Sequence, residues 1–150
     1  MTATETKLLF PALAGFYASW RDIAGTAVRV IIGAILLTHG WAKLATFGMA
    51  GVSGMMAKQG LEPAMGFAVA ATFLETVGAI CIILGLFTRF FAAALAIEMA
   101  IALLAVHLKN GFAVSKGGFE YVLLLGIVLF AIAIRGGGPY SVDRMIGKEL

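Results

Sequence analysis

Charged and polar side chains thin out along this chain to a few isolated positions. Between them run four apolar stretches, at about residues 23 to 45, 65 to 87, 89 to 108 and 119 to 135. Each approaches the roughly 20 residues that a helix needs to cross a hydrocarbon core about 30 Å thick. Inside lipid, backbone N–H and C=O groups must be paired within a helix or around a closed barrel, and the strict alternation of barrel strands is absent here. The pattern therefore predicts an all-α fold, an integral membrane four-helix up-and-down bundle over residues 23–137.

The flanks are read in the same terms. Residues 1–22 contain Pro11 within a short apolar run, too short and too interrupted for a secretory leader, followed by Phe16, Tyr17, Trp20, Arg21 and Asp22. Aromatic and charged residues so arranged predict an N-terminal segment at headgroup depth. FGMAGVSGMMAKQGLEP, residues 47 to 63, is too short and too rich in glycine to span, and predicts an interfacial or re-entrant loop after the first helix. Its methionines read as adaptable apolar filler rather than as Cu(I) ligands. Residues 138–150 form the tail, with Ser141 or Asp143 expected to cap a short surface helix.

Composition agrees with the pattern. Hydrophobic residues make up 61% of the 150 residues and charged residues 13%, against roughly half and a quarter in soluble domains. Membrane lipid is thus the expected surrounding. The net charge of +3 comes with no basic stripe outside the apolar stretches, which argues against nucleic acid. Lys7, Arg21, Arg29, Arg89, Arg135, Arg144 and Lys148 fall on one side of the predicted bundle and Lys43, Lys58, Lys109 and Lys116 on the other. That bias places both termini in the cytoplasm, and in a bacterium-like cell the other two loops, 46 to 64 and 109 to 118, would face the periplasm. Cys81 is the sole cysteine, so the chain has no pair for dithiol exchange.

Candidate chemistry comes from the exceptions to the apolar pattern. On helix one, Arg29, Gly33, Leu36, Gly40 and Lys43 fall within about 80° of one another with His39 at the margin, at about 100° per residue. This polar, glycine-lined face is expected to look inward, where Gly40 permits close approach of a helix or a flat ligand. Helix two carries Glu75 among small residues, and helix three carries Glu98 near its middle. An ionised carboxylate facing lipid costs about 3 kcal/mol, so each must be paired, protonated or turned to a cavity. Glu75 is paired with Lys43 or His39 in this reading. Glu98, nearer mid-membrane, has no assignable partner, and protonation is the alternative open to it, since burial disfavours the charged form unless a cation compensates. Alternate helix ends bring His39, Lys43, Glu75, His107, Glu120 and Tyr121 toward one leaflet, and a faint repeat between FLETVGAICIILGLFTR and FEYVLLLGIVLFAIAIRG sets Glu120 in a place comparable to Glu75.

These residues also carry a resemblance. An Arg in the first span, HGWAKL, LETVGAICIILGLFTR, a mid-span Glu and GFEYVLLLGIVLFAIAIRGGGPYSVDR, in that order over residues 25 to 145, resemble the DoxX family of small four-helix membrane proteins. The resemblance implies a bacterial inner-membrane protein. Related DoxD-type subunits belong to thiosulfate:quinone oxidoreductases, and other members are tied to sulfur and oxidative-stress metabolism. A partner oxidoreductase subunit on another polypeptide is then expected.

The expected function is a redox subunit binding quinone between the helices, with Glu75, Lys43 and His39 as catalytic candidates. Arg29, Gly40, Glu98, His107, Glu120 and Tyr121 are the ligand-binding candidates, since an apolar slot with a donor for each carbonyl oxygen suits a quinone. Three alternatives stand beside it. One is a haem b carrier ligated by His39 and His107, the only two histidines. Another is a binding or transport protein working as a homo-oligomer through ridges such as Ala92, Ala96 and Ala100. The third is a scaffold in which the buried charges fix helix register.

Overall fold

The computed structural model describes residues 7–150, and the first six residues of the expected interfacial segment lie outside it. Among the described residues every regular element is helical and none is a strand. After a 3-10 turn at Pro11–Leu13, α1 runs unbroken over Ala14–Ala42. The segment expected at headgroup depth and the first span are thus parts of one continuous helix. Pro11 is the sole helix breaker in this region and stands ahead of the helix, where its missing N–H costs nothing. Ser19 and Thr26 donate their hydroxyls back to Gly15 O and Asp22 O, both at 2.9 Å, and so do not interrupt it. At 29 residues α1 is about 44 Å long, more than a bilayer core needs, and its exposed Phe16, Tyr17 and Trp20 lie on the excess length.

A π-helical turn, Lys43–Phe47, ends α1, and Gly48, at φ +66°, redirects the chain into α2, Gly48–Lys58. The stretch expected as a loop is thus largely a helix, with Val52 fully buried and the helix lying against α3. Next, α3, Ala64–Phe73, passes through a second π-turn, Leu74–Gly78, into α4, Ala79–Leu84. Gly85, at φ +72°, stops α4: Gly85 N–H donates to Ile82 O at 3.2 Å and Leu86 N–H to Cys81 O at 2.9 Å, the paired closure that a left-handed residue permits. The chain then forms α5, Thr88–Ala102, a third π-turn, Leu103–His107, and a 3-10 turn, Leu108–Asn110. Last come α6, Glu120–Arg135, and α7, Val142–Ile146.

Three helical stretches, Pro11–Lys58, Ala64–Leu84 and Thr88–Asn110, are long and apolar enough to cross a membrane. The expected fourth falls short: 16 residues make α6 about 24 Å long. Its start is fixed by the hairpin before it, where Phe119 N–H and Glu120 N–H donate to Gly111 O and Phe112 O at 3.0 Å and residues 111–118 stay outside the helix. Helix α5 packs along α6, and α1 along α4 and the second π-turn. Leu36, Ile82, Leu95 and Leu129 are fully buried between them.

The chain after α6 folds back as a clasp. Asp143, 1% exposed, accepts from Phe87 N–H at 2.7 Å, Thr88 N–H at 2.9 Å and Thr88 Oγ1–H at 2.7 Å. A carboxylate 55 residues away in sequence therefore caps the N-terminus of α5. Ser141 does what the sequence predicts of it, accepting from Arg144 N–H at 3.2 Å to cap α7. Asp143 Nα–H meets Gly85 O at 2.9 Å and Phe90 N–H meets Leu150 O at 3.0 Å. The last residues are thus joined to the α4–α5 turn along their length.

Candidate functional site

The three π-turns share a location. Each falls where its helix borders one cavity of about 400 Å³, and each carries an ionisable side chain on that wall: Lys43 opens the first, Glu75 lies in the second and His107 closes the third. A π-turn inserts one residue into the i to i−4 pattern, and such insertions concentrate at functional sites. Besides these three, His39, Glu98 and Tyr121 border the cavity. Most of the remaining wall is apolar, including Leu36, Phe67, Leu74, Ile97, Ile101 and Leu125. Volume and lining both fall within the usual range for small-molecule sites, roughly 300–1,000 Å³ and mostly hydrophobic with a few placed polar groups.

At the centre Lys43 Nζ forms a hydrogen-bonded ion pair with a Glu75 carboxylate oxygen, the side chains 17% and 8% exposed. Gly40 makes this pairing possible without entering the cavity wall. A Cβ there would overlap the Glu75 carbonyl and come within 2.7 Å of Thr76 Cγ2, so α1 and the second π-turn touch backbone to backbone. The Glu98 carboxyl feels the charges of both Glu75 and Lys43. One of its oxygens, Oε2, is buried and has no hydrogen-bond partner. His107 Nδ1 lies 2.7 Å from Gly117 O. A carbonyl only accepts, so Nδ1 carries the hydrogen, which leaves Nε2 as an acceptor on the neutral ring. The His39 and Tyr121 rings lie 6.2 Å apart between centroids.

Six of the nine candidates thus meet on one cavity, and three do not. Arg29 stands 14 residues before Lys43 on α1, about 21 Å away along the axis, and its guanidinium is occupied. It donates to Ile82 O at 2.5 Å, Ile83 O at 2.6 Å and Tyr140 O at 2.7 Å, binding the end of α4 to the clasp. Glu120 accepts from Val114 N–H at 2.9 Å and orders the hairpin before α6. Gly40 supplies space rather than a contact. His39 and His107, the haem ligand candidates, do border the same cavity, and among the described residues no group of three or more metal-ligating side chains occurs.

Sequence reading missed Met56 and Leu61, which line the cavity from α2 and the turn after it, and Gly117 and Gly118, which line it from the hairpin. Periodicity carries no signal for Leu61, Gly117 and Gly118, which lie in the connections between helices, and Met56 lies on a helix where the sequence predicts a loop. Phe67 and Ala70 of α3 and Ala94 and Ile97 of α5 border the cavity while remaining part-exposed or exposed on the molecule's apolar exterior. Part of the cavity wall is therefore formed by residues that also reach the outer surface of the bundle.

The DoxX family profile matches residues 24–108, more than half of the chain and all three π-turns. The chain belongs to the DoxX family. An uncharacterized protein of Haemophilus influenzae is 30% identical over 128 residues, covering 81% of this chain and 90% of its own length. A Bacillus subtilis protein named "Putative oxidoreductase CatD" is 32% identical over 127 residues, covering 85% of this chain and 90% of its own length. No solved structure matches. This DoxX protein is accordingly a multi-pass membrane protein, and one of its relatives bears the name of an oxidoreductase.

Proposed function

We propose that this DoxX protein is a four-helix protein of the bacterial inner membrane, both termini cytoplasmic, that binds a quinone headgroup in the π-turn cavity. In this reading α6 is the fourth crossing, with its flanking turns completing the span. The membrane subunit works with a separate oxidoreductase that delivers or withdraws electrons in sulfur or oxidative-stress metabolism. One observation carries the reading: an apolar slot of about 400 Å³, bordered by His39, Lys43, Glu75, Glu98, His107 and Tyr121, with part-exposed residues of α3 and α5 in its wall.

The residues present fit such a group. A flat ring needs apolar walls, supplied by Leu36, Leu74 and Leu125, and a polar partner for each carbonyl oxygen. Lys43 and Tyr121 can donate to those oxygens, and Glu98 or His107 can exchange a proton with them. A bound quinone would supply two-electron redox chemistry that no side chain here offers. Entry from the bilayer suits a lipid-soluble ligand, and the oxidoreductase name of the Bacillus subtilis relative supports a redox role.

The test is extraction of the protein, purified in mild detergent from cells containing quinone, followed by mass spectrometry. Near-stoichiometric quinone is expected. Haem in its place would promote ligation by His39 and His107, and phospholipid alone would favour a transport or scaffold role.

Substitutions supply a second check. Glu75→Gln and Lys43→Met each break the central pair and should lower quinone affinity by tenfold or more while the protein still inserts in the membrane. Removing one partner leaves the other charge buried and unpaired, so a stability loss of about 3 kcal/mol is expected alongside. Unchanged quinone retention in both variants defeats the reading, and loss of membrane insertion in both supports the scaffold.

A further inference from the structure

Among the described residues three buried side-chain polar atoms lack a hydrogen-bond partner: Arg29 Nε, Thr72 Oγ1 and Glu98 Oε2. Of these residues only Glu98 borders the cavity. Lys43 from the first π-turn and Glu75 from the second act on it, and His39 from α1, His107 from the third π-turn and Tyr121 from α6 line the same cavity. Lys43 is the one fixed cation of that set. It is already committed to Glu75 through a hydrogen-bonded ion pair.

Two carboxyls and one ammonium cannot all be ionised in such a place without leaving a bare anion. An ionised Glu98 would present an oxygen to the interior with neither solvent nor donor to compensate it, whereas a neutral carboxyl bears an O–H that a ligand can use. Glu75, by contrast, is satisfied. We infer that Glu98 is the group of this cavity that holds and exchanges a proton, and that Glu75 acts as a positioning residue by holding Lys43.

This assignment sharpens the ligand class and, as regards the ligand, rests on the quinone reading. With Glu98 neutral and the charges of Lys43 and Glu75 cancelling each other, the cavity holds no uncompensated carboxylate and no free ammonium. It suits a neutral molecule with a carbonyl or hydroxyl oxygen rather than a small anion. Proton transfer to a bound oxygen breaks the O–H bond of Glu98 and forms one to the ligand, the bonding pair remaining on the carboxylate. Because Lys43 is already paired with Glu75, the charge left on Glu98 is short-lived and a proton must return to it.

The deciding experiment is infrared spectroscopy of the ligand-free protein in an ester-free detergent at neutral pH, comparing water with deuterium oxide. A protonated-carboxyl stretch sensitive to the exchange is expected. Glu98→Asp should shift that band and Glu75→Asp should leave it in place, because the frequency follows the residue that carries the proton. Both variants keep a carboxyl, so folding is spared, and thermal unfolding in detergent verifies it. Absence of the band, or a shift in Glu75→Asp instead, overturns the assignment. Quinone is not present in this measurement, so failure of a short-chain quinone to bind would defeat the functional reading while leaving the infrared result standing.

Discussion

Asp143→Ala should destabilise the protein by about 3–5 kcal/mol, because it removes the shared acceptor of a buried hydrogen-bond network. The carboxylate takes three hydrogen bonds from Phe87 and Thr88, at 2.7 to 2.9 Å, where it is 1% exposed. Truncation leaves two backbone N–H groups and a hydroxyl without an acceptor, and each buried unsatisfied donor costs about 1–3 kcal/mol. Two further losses follow. Phe87 sits at φ +48°, a conformation that a bulky side chain resists, and the Asp143 bond to its N–H helps to hold it there. Arg29, 2% exposed, would also lose the favourable charge of Asp143. Asp143→Asn retains one acceptor and should lose roughly half as much. The measurement is reversible unfolding in mixed detergent and dodecyl sulfate micelles. A loss below 1 kcal/mol for the alanine variant would show that water already satisfies these groups and that the clasp is dispensable.

How much of this was legible in the sequence depended on whether a feature is local. The helical character and the membrane setting follow from apolar runs, which every residue in a run reinforces. The polar convergence was legible as well, since helix period and alternate crossing direction suffice to bring His39, Lys43, Glu75, His107 and Tyr121 to one end. Three things were not. Arg29 shares the face of Lys43 on a helical wheel, yet a wheel discards height, and the about 21 Å between them puts Arg29 on the clasp instead. The π-turns insert a residue without any compositional mark, so the local shift in facing at Lys43, Glu75 and His107 could not be foreseen. Asp143 looked like a local cap because capping is usually local. Here the local task falls to Ser141, and Asp143 serves α5 from across the chain.

The clasp meets α1 at Arg29, and the cavity meets it toward its C-terminal end. Arg29 and Gly40 are on the same helix, α1, and both contact the α3–α4 segment: Arg29 at the Ile82 and Ile83 carbonyls, Gly40 at the Glu75 backbone. A helix held at these two points against its neighbour keeps Lys43 at a fixed height relative to Glu75. Loss of the clasp is therefore expected to weaken the site indirectly, by freeing α1 to move along α4.

Gly40→Val should remove quinone retention altogether and cost about 3 kcal/mol or more, at the upper end of what overpacking of a tight interior produces. The reason is that the obstacle is backbone. Where an added methyl meets the end of a flexible side chain, as at Gly25 with Arg135 Nη2 at 3.2 Å, the neighbour can swing away. At Gly40 the Cβ overlaps the Glu75 carbonyl group itself, so α1 or the second π-turn must shift as a unit. Either movement draws Lys43 from Glu75, since each lies within one turn of the contact. Gly40→Ala should show the same direction at about 1–3 kcal/mol. Gly15→Ala is the control, because it lies in α1 with nothing within 4 Å of an added Cβ and should be neutral or stabilising by up to about 1 kcal/mol. Unfolding midpoints and extracted quinone are measured on all three variants. If Gly40→Ala behaves like Gly15→Ala in both, then α1 does not approach Glu75 as closely as this account requires, and the Lys43–Glu75 pair loses its structural basis.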